Sequence, residues 1–181
     1  HETSKTSSIS PPDKPYPGKD LLHNTTNASI QIINADMTEM INNFSSYQNA
    51  AFAHCISADI EDSKSMSAGV AVVFKKYCGK PTPKNLINRH LAYQQIHRGP
   101  NVYSLVTKSK YFHKPTIVDY GEAFKRLSED FKRKGFKQLI CPPMGCVRDN
   151  LPPEVFVKNL IKFQEDTQAK ITIVVLNEEQ Q

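Results

Sequence analysis

From Ser29 onward, runs of consecutive or alternating apolar residues take turns with segments whose apolar positions recur at helical spacing. Ser29-Ile-Gln-Ile-Ile-Asn34 and Ala51-Phe-Ala-His-Cys-Ile56 read as strands, as do Val102-Tyr-Ser-Leu-Val-Thr107 and Lys137-Gln-Leu-Ile-Cys141. Lys170-Ile-Thr-Ile-Val-Val-Leu176 is apolar almost throughout, which suits a central strand covered on both faces. Ala68 to Tyr77 predicts a helix that starts at Gly69 and carries Val70, Val73 and Phe74 on one face. Asn85 to Gln95 predicts another, with Leu86, Ile87 and Leu91 inward. The best-marked helix runs from Thr116 to Lys134, with Val118, Phe124, Leu127 and Phe131 inward, Thr116 as its cap and Gly135 as its stop. Pro152-Pro153-Glu154 opens a last helix with Val155, Leu160 and Phe163 available for burial.

Alternating strands and helices predict an α/β domain with a mostly parallel or mixed sheet covered on both faces. Ligands of such sheets bind beyond the carboxyl ends of the strands. That rule selects the loops after Ile56, Val106 and Cys141. Residues 1–28 are mostly Ser, Thr, Pro, Lys and Asn, too poor in apolar surface to offset the entropy of ordering them. The expected organisation is a disordered tail over 1–28, one domain over 29–177 and a flexible end over 178–181.

Composition alters this picture little. The hydrophobic share of 39% is low for a compact domain, and the tail accounts for much of the deficit. A formal charge of +5 favours an anionic partner or simply a solvated basic face. Lys75-Lys76 and Lys132-Arg133-Lys134 fit helix ends, and nucleic-acid contact through this basic surface is only a minor expectation. The four cysteines show no metal-ligand spacing, and Cys55 and Cys141 lie in strand-like runs where a reduced, buried thiol is the default. No metal or cofactor is implied. Without a signal peptide or membrane-length apolar run, an intracellular monomer is expected, nuclear and/or cytoplasmic, with no membrane partner. The sequons at Asn24, Asn27 and Asn43 are then without meaning.

Four local features carry chemistry. The small-residue loop from Ser57 to Ser67 enters a helix at Ala68-Gly69, where backbone N–H groups and the helix dipole favour an anion; an ordinary helix cap uses the same pattern. In Pro142-Pro-Met-Gly-Cys-Val-Arg-Asp149, Gly145 would allow close backbone approach to a ligand. Asp149 would lie at the cleft rim, although spacing alone favours Asp149 or Asn150 as the cap of the last helix. Thr107 and Lys108 end a buried strand, where a lysine is either a snorkelling surface residue or a nucleophile. Asp36 follows the first strand as a turn or cap residue.

Taken in order, these segments form a pattern. From Ile30 to Leu176 the chain resembles the macro-domain family, most closely its terminal ADP-ribose protein glycohydrolase (O-acetyl-ADP-ribose deacetylase) branch. The resemblance rests on His54-Cys-Ile-Ser57, Ala68-Gly-Val-Ala-Val-Val-Phe-Lys-Lys76, Tyr103-Ser-Leu-Val-Thr-Lys108 and His113-Lys-Pro-Thr116. It continues through Pro142-x-x-Gly145-Cys146 with Asp149, and through Lys170-Ile-Thr-Ile-Val174. It implies a three-layer α/β/α sandwich around a mixed sheet, with ADP-ribose and ADP-ribosylated proteins as partners. Asp36 would then hydrogen-bond the adenine amino group, with Met37 also among the ADP-ribose-binding residues. Ser57, Ala68, Gly69 and Val70 would surround the distal ribose and phosphates, with Thr107 beside them. Pro142, Gly145, Cys146, Val147 and Arg148 would form the second phosphate-side loop.

In this branch a lysine at the position of Lys108 attacks the anomeric carbon of the ribose, and an aspartate at the position of Asp149 assists turnover. The implied activity is release of ADP-ribose from acidic side chains, deacylation of O-acyl-ADP-ribose, or both. The sequence departs from the family pattern in the extra residues Ile60 to Ser65, in Ser67, and in Val147-Arg148. Val147 adds a Cβ where the family has Gly, and Arg148 could offset this with a charge-assisted phosphate contact. The alternative is therefore a slow or non-catalytic reader of ADP-ribose marks.

Overall fold

A computed structural model describes residues 29–45, 47–145 and 149–176. The expected tail and carboxyl-terminal end lie outside these residues, as do Cys146, Val147 and Arg148. In chain order the elements are β1 (Ile30–Asn34), α1 (Met37–Phe44), β2 (Ala50–Ser57), α2 (Val70–Cys78), a 3₁₀ turn (Pro83–Asn85), β3 (Leu86–Asn88) and β4 (Leu91–Gln95). They continue with β5 (Asn101–Lys108), α3 (Ile117–Lys134), β6 (Gln138–Cys141), α4 (Pro153–Thr167) and β7 (Lys170–Val175). The strands form one seven-stranded sheet in the order β1-β7-β6-β2-β5-β4-β3. The first five in that order run parallel, so their carboxyl ends share one edge, and β4 and β3 add an antiparallel margin.

Strand alternation divides the interior in two. Ala51 and Ala53 of β2, with Tyr103 and Leu105 of β5, face α3 and α4, where Tyr120, Phe124, Leu127, Phe131, Phe156 and Phe163 complete one core. Phe131 and Phe163 meet edge to face at 5.0 Å and lock the two helices together. Phe52, Ile56, Val102 and Val106 point the other way, into a core shared with Met37, Met40 and Ile41 of α1 and Phe74 of α2. The result is a three-layer α/β/α sandwich around a mixed sheet. β7 lies between β1 and β6 and is buried on both faces, second from the edge.

Three sequence expectations need correction. Asn85 to Gln95 is not a helix: it is the 3₁₀ turn followed by β3 and β4, and Leu86 and Ile87 are exposed. β4 is held by antiparallel pairing with β5, a non-local interaction that its own residues do not announce. Val118 is exposed rather than inward. At about 100° per residue it lies roughly 160° around α3 from Tyr120, well off the buried stripe of Tyr120, Phe124, Leu127 and Phe131. Finally, Met37–Phe44 is an additional helix. The ends of α3 are as expected: Thr116 Oγ1 accepts the Asp119 N–H, and Gly135 closes the helix in the left-handed region.

Candidate active site

The carboxyl edge gathers the residues that the sequence singled out from distant positions. Ser57 and Lys108 end adjacent parallel strands and are register partners, because a bulge between Ile56 and Ser57 shifts the pairing by one residue. The Ala58 N–H then donates to the Lys108 carbonyl at 2.8 Å. From the loop between β6 and α4, Asp149 reaches across, and Lys108 Nζ donates to its Oδ1 at 2.9 Å. The two side chains are only 14% and 18% exposed, so water screens the pair weakly. Asp149 is therefore not the cap of α4. Pro152 occupies that position with no side-chain cap bond, and Asn150 lies at φ 57°.

The two loops beside this pair are built differently. The first, between β2 and α2, is a string of turns: Ile60 N–H donates to Ala58 O, Asp62 N–H to Asp59 O and Ser65 N–H to Asp62 O. Lys80 Nζ pins it at the Asp62 carbonyl (2.7 Å), and Ser67 Oγ donates to Lys64 O. Ile60 and Met66 anchor it in the core under α1 and α2. It ends at Gly69, whose φ of 66° and ψ of −150° belong to a region open essentially only to glycine. Gly69 caps α2 and, having no side chain, supplies no hydrogen bond to the backbone N–H groups of the helix's first turn. Ala68 and Val70 are half-buried beside it.

The second loop is rooted in the other core. Tyr120 donates its hydroxyl to Met144 O at 2.6 Å, and the Leu151 N–H donates to Gly145 O at 2.9 Å. Gly145 has φ 80°, and a Cβ there would lie 2.7 Å from Leu151 Cδ1 and 3.2 Å from Tyr120 Cε1. Both the backbone conformation and the space require glycine. Gly145→Ala is expected to lower unfolding free energy by about 1–3 kcal/mol, read as a lower urea midpoint. Pro142, at the entry of this loop, is half-buried.

Other expected site residues lie deeper or farther out. Asp36 is exposed, and its Oδ1 accepts the Thr38 N–H at 3.0 Å as the cap of α1. Met37 points into the core with Met40 and Ile41. Thr107 is fully buried in β5, with a hydroxyl that finds no partner among the described residues.

Asp59 is a site neighbour that local sequence does not reveal, because an aspartate in a loop reads as a turn former. Its Oδ2 accepts the Tyr111 N–H at 3.0 Å, which ties the first loop to the segment following Lys108. Burial works to raise the Asp59 carboxyl. Hydrogen bonds from Ser57 and the Tyr111 N–H, with Lys110 nearby, outweigh it and hold the group below its ordinary value.

Chemically, the edge offers an amine and a carboxylate in contact, flanked by a helix start suited to phosphate. No protein-family model matches the chain. The chain is 31% identical over 130 residues to the human protein named ADP-ribose glycohydrolase OARD1, a match spanning 70% of this chain and 82% of that protein. Its fold is similar to that of Thermosipho africanus DarTG in complex with ADP-ribose, at a TM-score of 0.59 and 14% identity. That match takes in 87% of this chain but only 44% of the other, so the chain spans less than half of DarTG. The Thermus aquaticus DarG macrodomain matches at a TM-score of 0.55 and 16% identity, over 82% of this chain and 97% of that one. At these identities the structural matches speak for the fold alone. The human relative carries the further step: the chain belongs to the OARD1-like family of ADP-ribose glycohydrolases, built on a macro domain.

Proposed function

We propose that the protein binds ADP-ribose in the cleft at the carboxyl edge of its sheet and hydrolyses the ester linking it to acidic side chains. The observation that carries this reading is the contact of Lys108 Nζ with Asp149 Oδ1 at 2.9 Å, where both side chains are largely buried. An ammonium must shed a proton before it can attack, and Asp149 is the base within reach. The neutral amine displaces the side-chain carboxylate from C1 of the distal ribose, with a proton passing from nitrogen to Asp149; the C1–O4 bond then breaks, the remaining N–H proton moves to the ring oxygen, and a Schiff base joins Lys108 to the opened sugar. Water then hydrolyses it, which frees the lysine and returns ADP-ribose. This divides one difficult ester cleavage into easier steps, with Asp149 accepting and returning protons. The start of α2 at Gly69 and the Gly145 turn are suited to the pyrophosphate. O-acyl-ADP-ribose, an ester of the same ligand, is the second substrate on this reading.

Two measurements test this. Calorimetry is expected to show saturable ADP-ribose binding, and incubation with a glutamate-ADP-ribosylated protein is expected to liberate ADP-ribose. Binding without release would make the protein a reader of the mark, and an absence of heat would remove both readings. Running O-acyl-ADP-ribose in parallel assigns the preferred ester.

A further inference from the structure

The three most exposed large apolar side chains among the described residues lie in the segment that follows Lys108. Phe112 is 68% exposed, Ile117 64% and Val118 79%, all within seven residues. Single exposed apolar residues are ordinary, but three within seven positions of chain, beginning four residues after Lys108, are a candidate contact surface. The surface is also fixed in shape. The Tyr111 N–H is held by Asp59, the His113 N–H donates to Lys110 O at 3.0 Å, Pro115 is buried, and Thr116 caps α3. The Phe112 ring stands edge-on between Tyr111 (5.2 Å) and His113 (4.7 Å). An aromatic side chain already ordered loses little entropy when a partner covers it.

Charge selects the partner. Lys110, His113 and Lys114 are exposed on either side of Phe112 in the chain, while Arg89 is offset by its pairing with Asp119 at 4.0 Å in the first turn of α3. The geometry points to a docking lip, formed by Phe112, Ile117 and Val118 within this basic rim, for the polypeptide that carries the esterified glutamate: an acidic segment with an apolar side chain beside the modified residue. This rests on the proposed hydrolase reading. The ester is attacked at Lys108, and the chain attached to its carboxylate must leave the cleft across a neighbouring surface, the nearest in sequence being the segment after Lys108. Apolar contact would anchor that chain, and the lysines would favour acidic sequence around it.

The experiment compares the full chain with its Phe112→Ser/Ile117→Ser/Val118→Ser variant on two substrates. One is an acidic peptide ADP-ribosylated on a glutamate, and the other is ADP-ribose esterified to a single glutamate. The expected result is a rise of about tenfold in KM for the peptide with kcat unchanged. The single-glutamate ester and calorimetric binding of ADP-ribose should be unaffected. Equal losses on both substrates, or none on the peptide, would overturn the lip. Fluorescence anisotropy with the unmodified acidic peptide reads the lip even if no ester is cleaved: binding should weaken in the variant and with salt, and equal binding by both proteins refutes it. So does loss of self-association in the variant by sedimentation, which would make a second copy the occupant. Competition by a single-stranded oligonucleotide that the variant no longer binds would do the same for nucleic acid.

Discussion

Replacing Lys108 by alanine is expected to lower release of ADP-ribose from a glutamate-ADP-ribosylated protein by roughly 10³-fold or more, since removal of a covalent nucleophile deletes the pathway rather than weakening it. ADP-ribose should still bind, because the helix start at Gly69 and the Gly145 turn are untouched. Lys108→Arg separates chemistry from architecture. It restores a cation opposite Asp149 and so keeps the tie between β5 and the loop before α4, but a guanidinium cannot form the Schiff base. Both variants should therefore be inactive, and a working Lys108→Arg protein would reduce the pair to a structural brace. Asp149→Asn should cost about 10²–10⁴-fold in turnover, the usual share of a general acid–base group. Single-turnover assays with intact-mass detection of a lysine adduct would show whether formation or hydrolysis of the intermediate has slowed.

The second large effect concerns acid stability. His54 in β2 is buried, stacks on Phe74 at 4.3 Å and hydrogen-bonds through Nε2 with Ser104 Oγ at 2.9 Å. Its Nδ1 has no partner among the described residues. Burial lowers its pKa from the ordinary 6.5 to about 3, so the folded protein keeps the imidazole neutral. Between those values the unfolded chain takes up a proton that the folded chain refuses. The stability is therefore complete above pH 6.5 and is lost as pH falls toward 3, at about 1.4 kcal/mol per pH unit. By pH 4.5 the loss from this residue is about 2–3 kcal/mol. The carboxyls of Asp119 and Asp130 are also held below their ordinary values and add acid sensitivity at lower pH. Urea unfolding of His54→Gln beside the parent chain, from pH 7 to 4.5, subtracts those shared terms. The variant should lose less stability across that range, and parallel curves would show that His54 does not carry the effect.

How far each element could be read from sequence follows from where its information lies. α3 announces itself locally, through the Thr116 cap, the Phe124-Leu127-Phe131 spacing and Gly135, and the structure places the helix there. β2, β5 and β7 are nearly continuous apolar runs, as strands buried on both faces must be. β3 and β4 sit at the antiparallel margin, where Leu86 and Ile87 face solvent and pairing decides the structure, so local spacing misleads. α1 carries Met37, Met40, Ile41 and Phe44 at helical intervals, but its eight residues give only two turns of signal.

The candidate site divides in the same way. Lys108 and Asp149 read locally as a snorkelling lysine and a helix cap; only the order of family motifs joined residues 41 positions apart. Asp59 was hidden because its partner, the Tyr111 N–H, lies 52 positions away.

The sheet that separates the two interiors also separates the foundations of the cleft. One wall stands on Ile60 and Met66, beneath α1 and α2, and the other on Met144, Leu151 and Tyr120, beneath α3 and α4. Substitutions that loosen one foundation can widen or narrow a single wall while the opposite one holds its place. If the proposed site is the true one, grip on the phosphates and ease of product escape are separately adjustable, which gives drift in this lineage two independent dials on residence time.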